Sequence, residues 1–317
     1  MIYRMTRRAC ALALGFTLAL TIAACGGSAT DTKDGDLTTL TLGAPPVGDS
    51  LPVYVAIENG YFEDEGINIK LVPAASGAAA IDALISQSTD LALVSYPSMI
   101  SARASGLPVT IAAMGINGTD DYESGLYVRA DSSIKKPADM LGKTMAAASL
   151  NSVGDIWFRG VLKDEGLDYT KVKYVEIPQA NMATALKSGD VDGAFITEPT
   201  LSAASKELDL RSIGFQNGPQ GVFATSEDTL DEQSSTVKGF REAMAKAIAD
   251  IADDPHGVAE EMMPEYTDMD SKTAAAMNLP EYVTEWEPNG VQTVIDLMAD
   301  VGIIDKSFDA NDLFDEL

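Results

Sequence analysis

Apolar and polar positions break the chain into short alternating units. Thr38-Thr39-Leu40-Thr41-Leu42 has the two-residue period of a half-buried strand and stops at Gly43. Pro46, Gly48, Asp49 and Ser50 supply turn residues, and Pro52 suits the first helical position, so a helix is predicted as far as Asn59-Gly60. Ile67 to Val72 reads as the next strand, and Ser76-Gly77 opens an Ala-rich helix reaching Gln87. Leu91 to Val94 is a strand of the fully buried type, and Ser95-Tyr96-Pro97 leads into another helix. Strand, helix, strand, helix at this spacing predicts the α/β class, with a mainly parallel sheet flanked by helices.

The same order is written a second time. Residues 83–97 (ALISQSTDLALVSYP) and 185–199 (ALKSGDVDGAFITEP) lie 102 positions apart and share six of fifteen residues, Asp90/Asp192 and Pro97/Pro199 among them. Chance gives roughly one or two matches at ordinary composition. The same step pairs Asp49-Ser50-Leu51 with Asn151-Ser152-Val153. Two similar lobes are therefore expected. The chain after Thr225 differs and reads as consecutive acidic helices: Thr236 to Asp253, His256 to Met263, Ser271 to Leu279 and Asn289 to Val301.

Composition narrows the function. The 317 residues are 46% hydrophobic, ordinary for a globular chain and too high for a disordered one. There are 48 acidic side chains against 22 basic ones, a formal charge of −26. Nucleic acid is excluded as a partner, because phosphate contacts need clustered Lys and Arg. The two cysteines and one histidine, His256, leave no ligand set for a structural metal site, so neither metal nor cofactor is expected.

The first segment is an address. Arg4, Arg7 and Arg8 precede the apolar run Ala9 to Ala24, as in a secretory signal peptide. That run is too short for a membrane span, which takes about 20 residues. Ile22-Ala23-Ala24-Cys25 looks like a lipobox, with Cys25 as the lipidated mature N-terminus. Residues 1–24 are then the signal, and residues 25–36, rich in Gly, Ser, Thr and Asp, a flexible lipid-anchored tether.

In open α/β sheets, ligands sit beyond the carboxyl ends of the strands. Those loops present Asp49, Ser50 and Leu51, Ser76 and Gly77, and Ser95 and Tyr96 in the first half. In the second half they present Asn151, Ser152 and Val153, then Gln179-Ala180-Asn181, then Thr197 and Glu198. Several of these residues are also good helix caps, so backbone N–H groups gather behind them. Glu198 suits a ligand amine or amidine. Tyr54, Tyr96, Tyr122, Trp157 and Phe223 are the candidate aromatic clamps, and no Lys or Arg lies in the loops.

Residues 52–97, beginning PVYVAIENGYFEDEG, resemble the N-terminal signature of periplasmic binding proteins for nitrate, sulfonate, taurine and thiamine-pyrimidine precursors. LGKTMAAASLNSVGDIWFRGVLKDEG and TALKSGDVDGAFITEP are similar to the second domain of that family. The resemblance implies a type II periplasmic-binding-protein fold, with residues 37–120 plus 223–317 as one lobe and 121–222 as the other, joined by crossover hinge strands. It implies the solute-binding subunit of an ABC importer, a monomer that hands a small-molecule solute to permease subunits. By position it carries ligand contact to the Ser and Thr loops above and, through the returning strand Gly221 to Thr225, to Phe223. Enzymes share this fold, but their Cys or His machinery has no counterpart in these loops, and no catalytic residue is expected. A ligand-presenting sensor is the other alternative. The loop chemistry favours a compact organic solute, neutral or singly charged, over nitrate or sulfate.

Overall fold

The computed structural model describes residues 37–74 and 77–314. The expectations for residues 1–36, Cys25 included, and for Ser76 lie outside the described residues. β1 (Thr38–Gly43) buries Leu40 and Leu42 and leaves Thr39 exposed. A 3-10 turn, Gly48–Ser50, leads into α1 (Leu51–Glu58) and α2 (Tyr61–Asp64). Next come β2 (Ile67–Val72), α3 (Gly77–Ile85), β3 (Leu91–Ser95), α4 (Tyr96–Ala104) and β4 (Val109–Gly118). The chain then builds β5 (Gly125–Arg129), β6 (Thr144–Ala147), α5 (Val153–Asp164), β7 (Lys173–Glu176) and α6 (Gln179–Ser188). These are followed by β8 (Gly193–Ile196), α7 (Thr200–Ala204) and β9 (Leu210–Phe215). β10 (Gly218–Ser226) precedes α8 (Glu227–Glu232), α9 (Ser234–Asp253), α10 (Pro255–Tyr266) and α11 (Ser271–Ala276). β11 (Glu281–Tyr282) and α12 (Pro288–Asp300) complete the series.

Two sheets result, ordered β11-β4-β10-β3-β1-β2 and β7-β6-β8-β5-β9. Each holds a parallel trio, β2-β1-β3 in the first and β7-β6-β8 in the second. The strand beside each trio, β10 or β5, runs antiparallel to both of its neighbours. Each reversed strand is the one that arrives from the other sheet. One strand plan is thus used twice, as the sequence repeat predicts.

The repeated aspartates do the same work in both sheets. Asp90 Oδ2 accepts the Thr41 backbone N–H of β1 at 2.7 Å, and Asp192 Oδ2 accepts the Thr144 N–H of β6 at 2.9 Å. Each Asp returns its own N–H to the carbonyl of that same Thr, at 2.9 Å in both cases. The carboxylate bonds are charge-assisted, so each clasp fixes one strand's register against its neighbour.

The long helix α9 starts two positions before the expected Thr236. Val237, Phe240, Ala243, Ala247 and Ile251 recur at helical spacing and are all buried. Phe240 stacks on Phe62 at 5.3 Å. Burying one such side chain contributes about 1.5–3 kcal/mol. α11 ends at Ala276, short of the expected Leu279, because Met277 turns to extended backbone and is itself buried.

The chain passes between the sheets after β4 and again after β9, and the two passages lie side by side. The Gln216 backbone N–H donates to Ser124 O at 2.7 Å, and Asn217 Nδ2 donates to Asp120 Oδ1 at 2.9 Å. Gly118 lies so close to the Gln216 carbonyl that a Cβ has no room there.

Candidate functional site

The carboxyl ends of both parallel trios open into one cavity of about 530 Å³. On the first wall, Pro45 and Asp49 follow β1, Ala74 and Gly77 follow β2, and Leu93, Val94 and Ser95 end β3. On the second, Ser149, Ser152 and Val153 follow β6, Glu176 and Gln179 flank the end of β7, and Phe195 and Thr197 flank the end of β8. Ile116, Gln220 and Gly221 from the strands that lead into and out of the passages complete the lining.

Four lining pairs are related by the 102-residue step: Ala74/Glu176, Gly77/Gln179, Leu93/Phe195 and Ser95/Thr197. In every pair the second-wall residue is the larger. The first wall leaves space, and the second supplies a ring, a carboxylate and an amide.

Helix starts differ between the walls. Ser95 Oγ accepts the Ser98 N–H at 3.2 Å and caps α4. α5 and α6 begin at the cavity without a side-chain cap, and Ser152 Oγ donates instead to Ser149 O at 2.7 Å. Uncapped first-turn N–H groups suit acceptor atoms of a ligand. Gln179 Nε2 donates to Phe195 O at 3.3 Å, while its Oε1 is buried without a partner among the described residues.

Asp49 is the half-buried acid of the first wall. The Tyr122 hydroxyl, itself buried, donates to Asp49 Oδ1 at 2.9 Å. Burial pushes the Asp49 carboxyl up to about 6, against the lowering effect of the Tyr122 bond. Burial and then the Asp49 charge hold the Tyr122 hydroxyl well above its ordinary value, and Tyr282 is raised by the same two causes. Asp49 and Glu176 line the cavity, and no Lys or Arg among the described residues does.

The structure brings Gly77, Ser95, Ser152, Val153 and Thr197 together at this cavity. Other candidates lie elsewhere. Ser50 is fully buried and donates its hydroxyl to Pro45 O at 2.7 Å. Leu51 and Tyr96 are packed in the apolar cores rather than offered to a ligand, since both head helices whose inner faces are buried. Phe223 meets Phe240 edge-on at 5.6 Å in the core. Phe223 pairs with Leu93 and lies two residues deeper along the sheet than Gly221, which pairs with Ser95 at the cavity.

Glu198 is also corrected. Its carboxylate is buried and accepts from the Ser202 N–H at 3.1 Å and the Ser202 hydroxyl at 2.9 Å, so it serves the start of α7. Asn151 is exposed, with a left-handed backbone at φ 59, and donates its N–H to Asp155 Oδ2 at 2.9 Å. It shapes the loop ahead of α5. Asp155 is fully buried and paired with Arg159 at 2.9 Å. Tyr54 stacks on Tyr266 at 4.2 Å, and Trp157 backs Phe195 at 5.9 Å.

Phe195, Glu176 and Gln220 were missed as site residues. The 102-residue step relates the first two to Leu93 and Ala74, which also line the cavity, so the repeat would have found them once either partner was known.

Residues 48–258 match the family model described as NMT1/THI5 like. The formylaminopyrimidine-binding protein of Halalkalibacterium halodurans is 25% identical over 211 residues, 64% of this chain and 62% of that protein, so under two thirds of that relative's length is matched. The taurine-binding periplasmic protein of Escherichia coli (strain K12) is 23% identical over 230 residues, 71% of this chain and 68% of that protein. The crystal structure of the periplasmic aliphatic sulphonate binding protein SsuA from Escherichia coli aligns with a TM-score of 0.74 at 18% identity, over 87% of this chain and 97% of that one. With the family match spanning most of the chain and the fold shared with SsuA, this protein belongs to the NMT1/THI5-like family and has a periplasmic-binding-protein fold.

Proposed function

We propose that the chain is an extracytoplasmic solute-binding lipoprotein of an ABC importer. Residues 37–120 with 223–317 form one lobe and 121–222 the other. A small organic solute, pyrimidine-like, aromatic or sulfonate-type, is captured between them and delivered to permease subunits. Cys25 carries the lipid that holds the protein, as a monomer, to the outer face of the membrane. The observation that carries the reading is the cavity of about 530 Å³ whose two walls include four pairs of residues one repeat apart. Relatives named for binding formylaminopyrimidine and taurine support it.

The side-by-side passages give such a molecule a hinge. A solute closes it only through its greater affinity for the closed form, which contacts from both walls supply. Native mass spectrometry of freshly purified, processed protein should find one small molecule per chain, returned unchanged. Small-angle scattering should show a modest compaction when that molecule is added back. Chemical turnover of the molecule, or an unchanged scattering curve at saturation, counts against the reading.

A further inference from the structure

Among the described residues, the charged groups that line the cavity are acids. Gln179 Oε1 is buried beside it without a partner among the described residues, and the amide's donor side is taken by Phe195 O. The Ser152 hydroxyl is spent on Ser149 O, and Ser95 and Ser98 share one bond at 2.9 Å. Two acids line the space without a lining cation among the described residues. The groups that face Asp49 bring no positive charge either. They are Tyr54 from α1, Tyr122 from the passage after β4, and Tyr282 from β11, with Glu198 beyond Tyr122.

We propose that Asp49 is the specificity residue of this cavity, and that it selects a solute bearing a protonated nitrogen or an amidine-type N–H edge. The inference rests on the solute-binding reading and names its chemistry. A partly buried carboxylate gains most from a partner that supplies both charge and hydrogen-bond donors. Tyr122 fixes its orientation while filling one of about four lone-pair sites. Gln179 Oε1 offers a second acceptor from the opposite wall. The uncapped starts of α5 and α6 receive the solute's own acceptor atoms. Nitrate, sulfate and amine-free sulfonates bring no cation to Asp49 and set a like charge beside it, which rejects them.

The test uses the processed full chain and matched probes that differ in one group. Taurine is set against isethionate, benzamidine against benzoate, and 4-aminopyrimidine against 4-methylpyrimidine. In each pair that binds, the nitrogen-bearing member should bind at least about tenfold tighter, equivalent to about 1.4 kcal/mol. Asp49→Asn should shrink that preference to within about threefold. For taurine and benzamidine the wild-type preference should also fade below a pH of about 6, where the Asp49 carboxyl takes up a proton. Glu176→Gln, at an exposed position, keeps the fold and should lower the preference by a smaller factor. Native mass spectrometry supplies a second readout, and a co-purified solute with such a nitrogen, released by Asp49→Asn, supports the proposal. A co-purified solute without one, equal binding within the pairs, or a preference that survives Asp49→Asn overturns it while leaving the solute-binding reading intact. If no probe binds and no molecule co-purifies, both fall together.

Discussion

The Tyr122 hydroxyl donates to Asp49 Oδ1 across 2.9 Å, tying the passage between the sheets to the acid that lines the cavity. The bond holds the carboxylate in place at the point where hinge and site meet.

Stability should depend on pH through Asp49. Its carboxyl is raised from 3.8 to about 6 by burial. A group raised in the folded state supports folding below its unfolded value, and that support is lost as pH rises through the folded value. The unliganded protein should therefore lose up to about 3 kcal/mol between about pH 4 and about pH 7 through this residue. Asp49→Asn should melt higher than wild type near neutrality, with the gap closing toward about pH 4. Thermal melts across that range check it, and a pH-independent difference would show that the carboxylate is well compensated.

The two aspartate clasps should be worth similar amounts and act independently. Asp90→Ala and Asp192→Ala each remove a charge-assisted acceptor of a strand N–H, at a cost of about 1.5–3 kcal/mol. The clasps sit in different sheets and share no partner, so the double variant should lose their sum within about 0.5 kcal/mol. Urea unfolding of the three variants measures this, and a strongly sub-additive double variant would argue against separate clasps.

Glu198 should matter to folding and not to cargo. Removing its carboxylate leaves the Ser202 N–H and hydroxyl without their acceptor. Glu198→Ala should cost the unliganded protein about 1–3 kcal/mol while changing solute affinity by less than about threefold. Calorimetric titration beside a melt separates the two effects, and a large affinity loss with an unchanged melt would return Glu198 to the cavity.

Anchoring has its own test. Cys25→Ser should release the protein to the medium or leave an unprocessed precursor, read by fractionation and by the mass of the N-terminal peptide. A variant that stays on the membrane and is cleaved before residue 25 refutes the lipobox.

Much of the plan was legible from periodicity and repetition. Buried strands such as Leu91 to Val94, the late helices and the doubled strand order follow from short-range pattern, which the chain carries locally. The first failures were of side-chain direction and depth. Tyr96 and Phe223 stand where cavity residues should stand, yet Tyr96 turns into the core with its helix and Phe223 lies two residues deeper along β10 than the cavity-lining Gly221. Local pattern does not mark how far along a strand the cavity reaches. Glu198 differs for another reason: Ser202, four residues on, already donates to both of its oxygens. Asp49 was placed in a cleft loop with its neighbours, and only its burial and its Tyr122 bond single it out from them.

The strand order also sets a sequence of assembly. Among the described residues, β4 pairs only with β10 and β11, both made long after it, and β10 fills the place between β3 and β4. The second sheet instead draws all of its strands from one uninterrupted stretch, Gly125 to Phe215. As the chain emerges from its amino end, the second sheet can close first, while β3 and β4 wait with unsatisfied edges. Those edges are sticky until covered. A nascent chain stalled anywhere between Gly118 and Ser226 therefore keeps those edges open, and helpers that shield emerging chains have work to do across that whole interval.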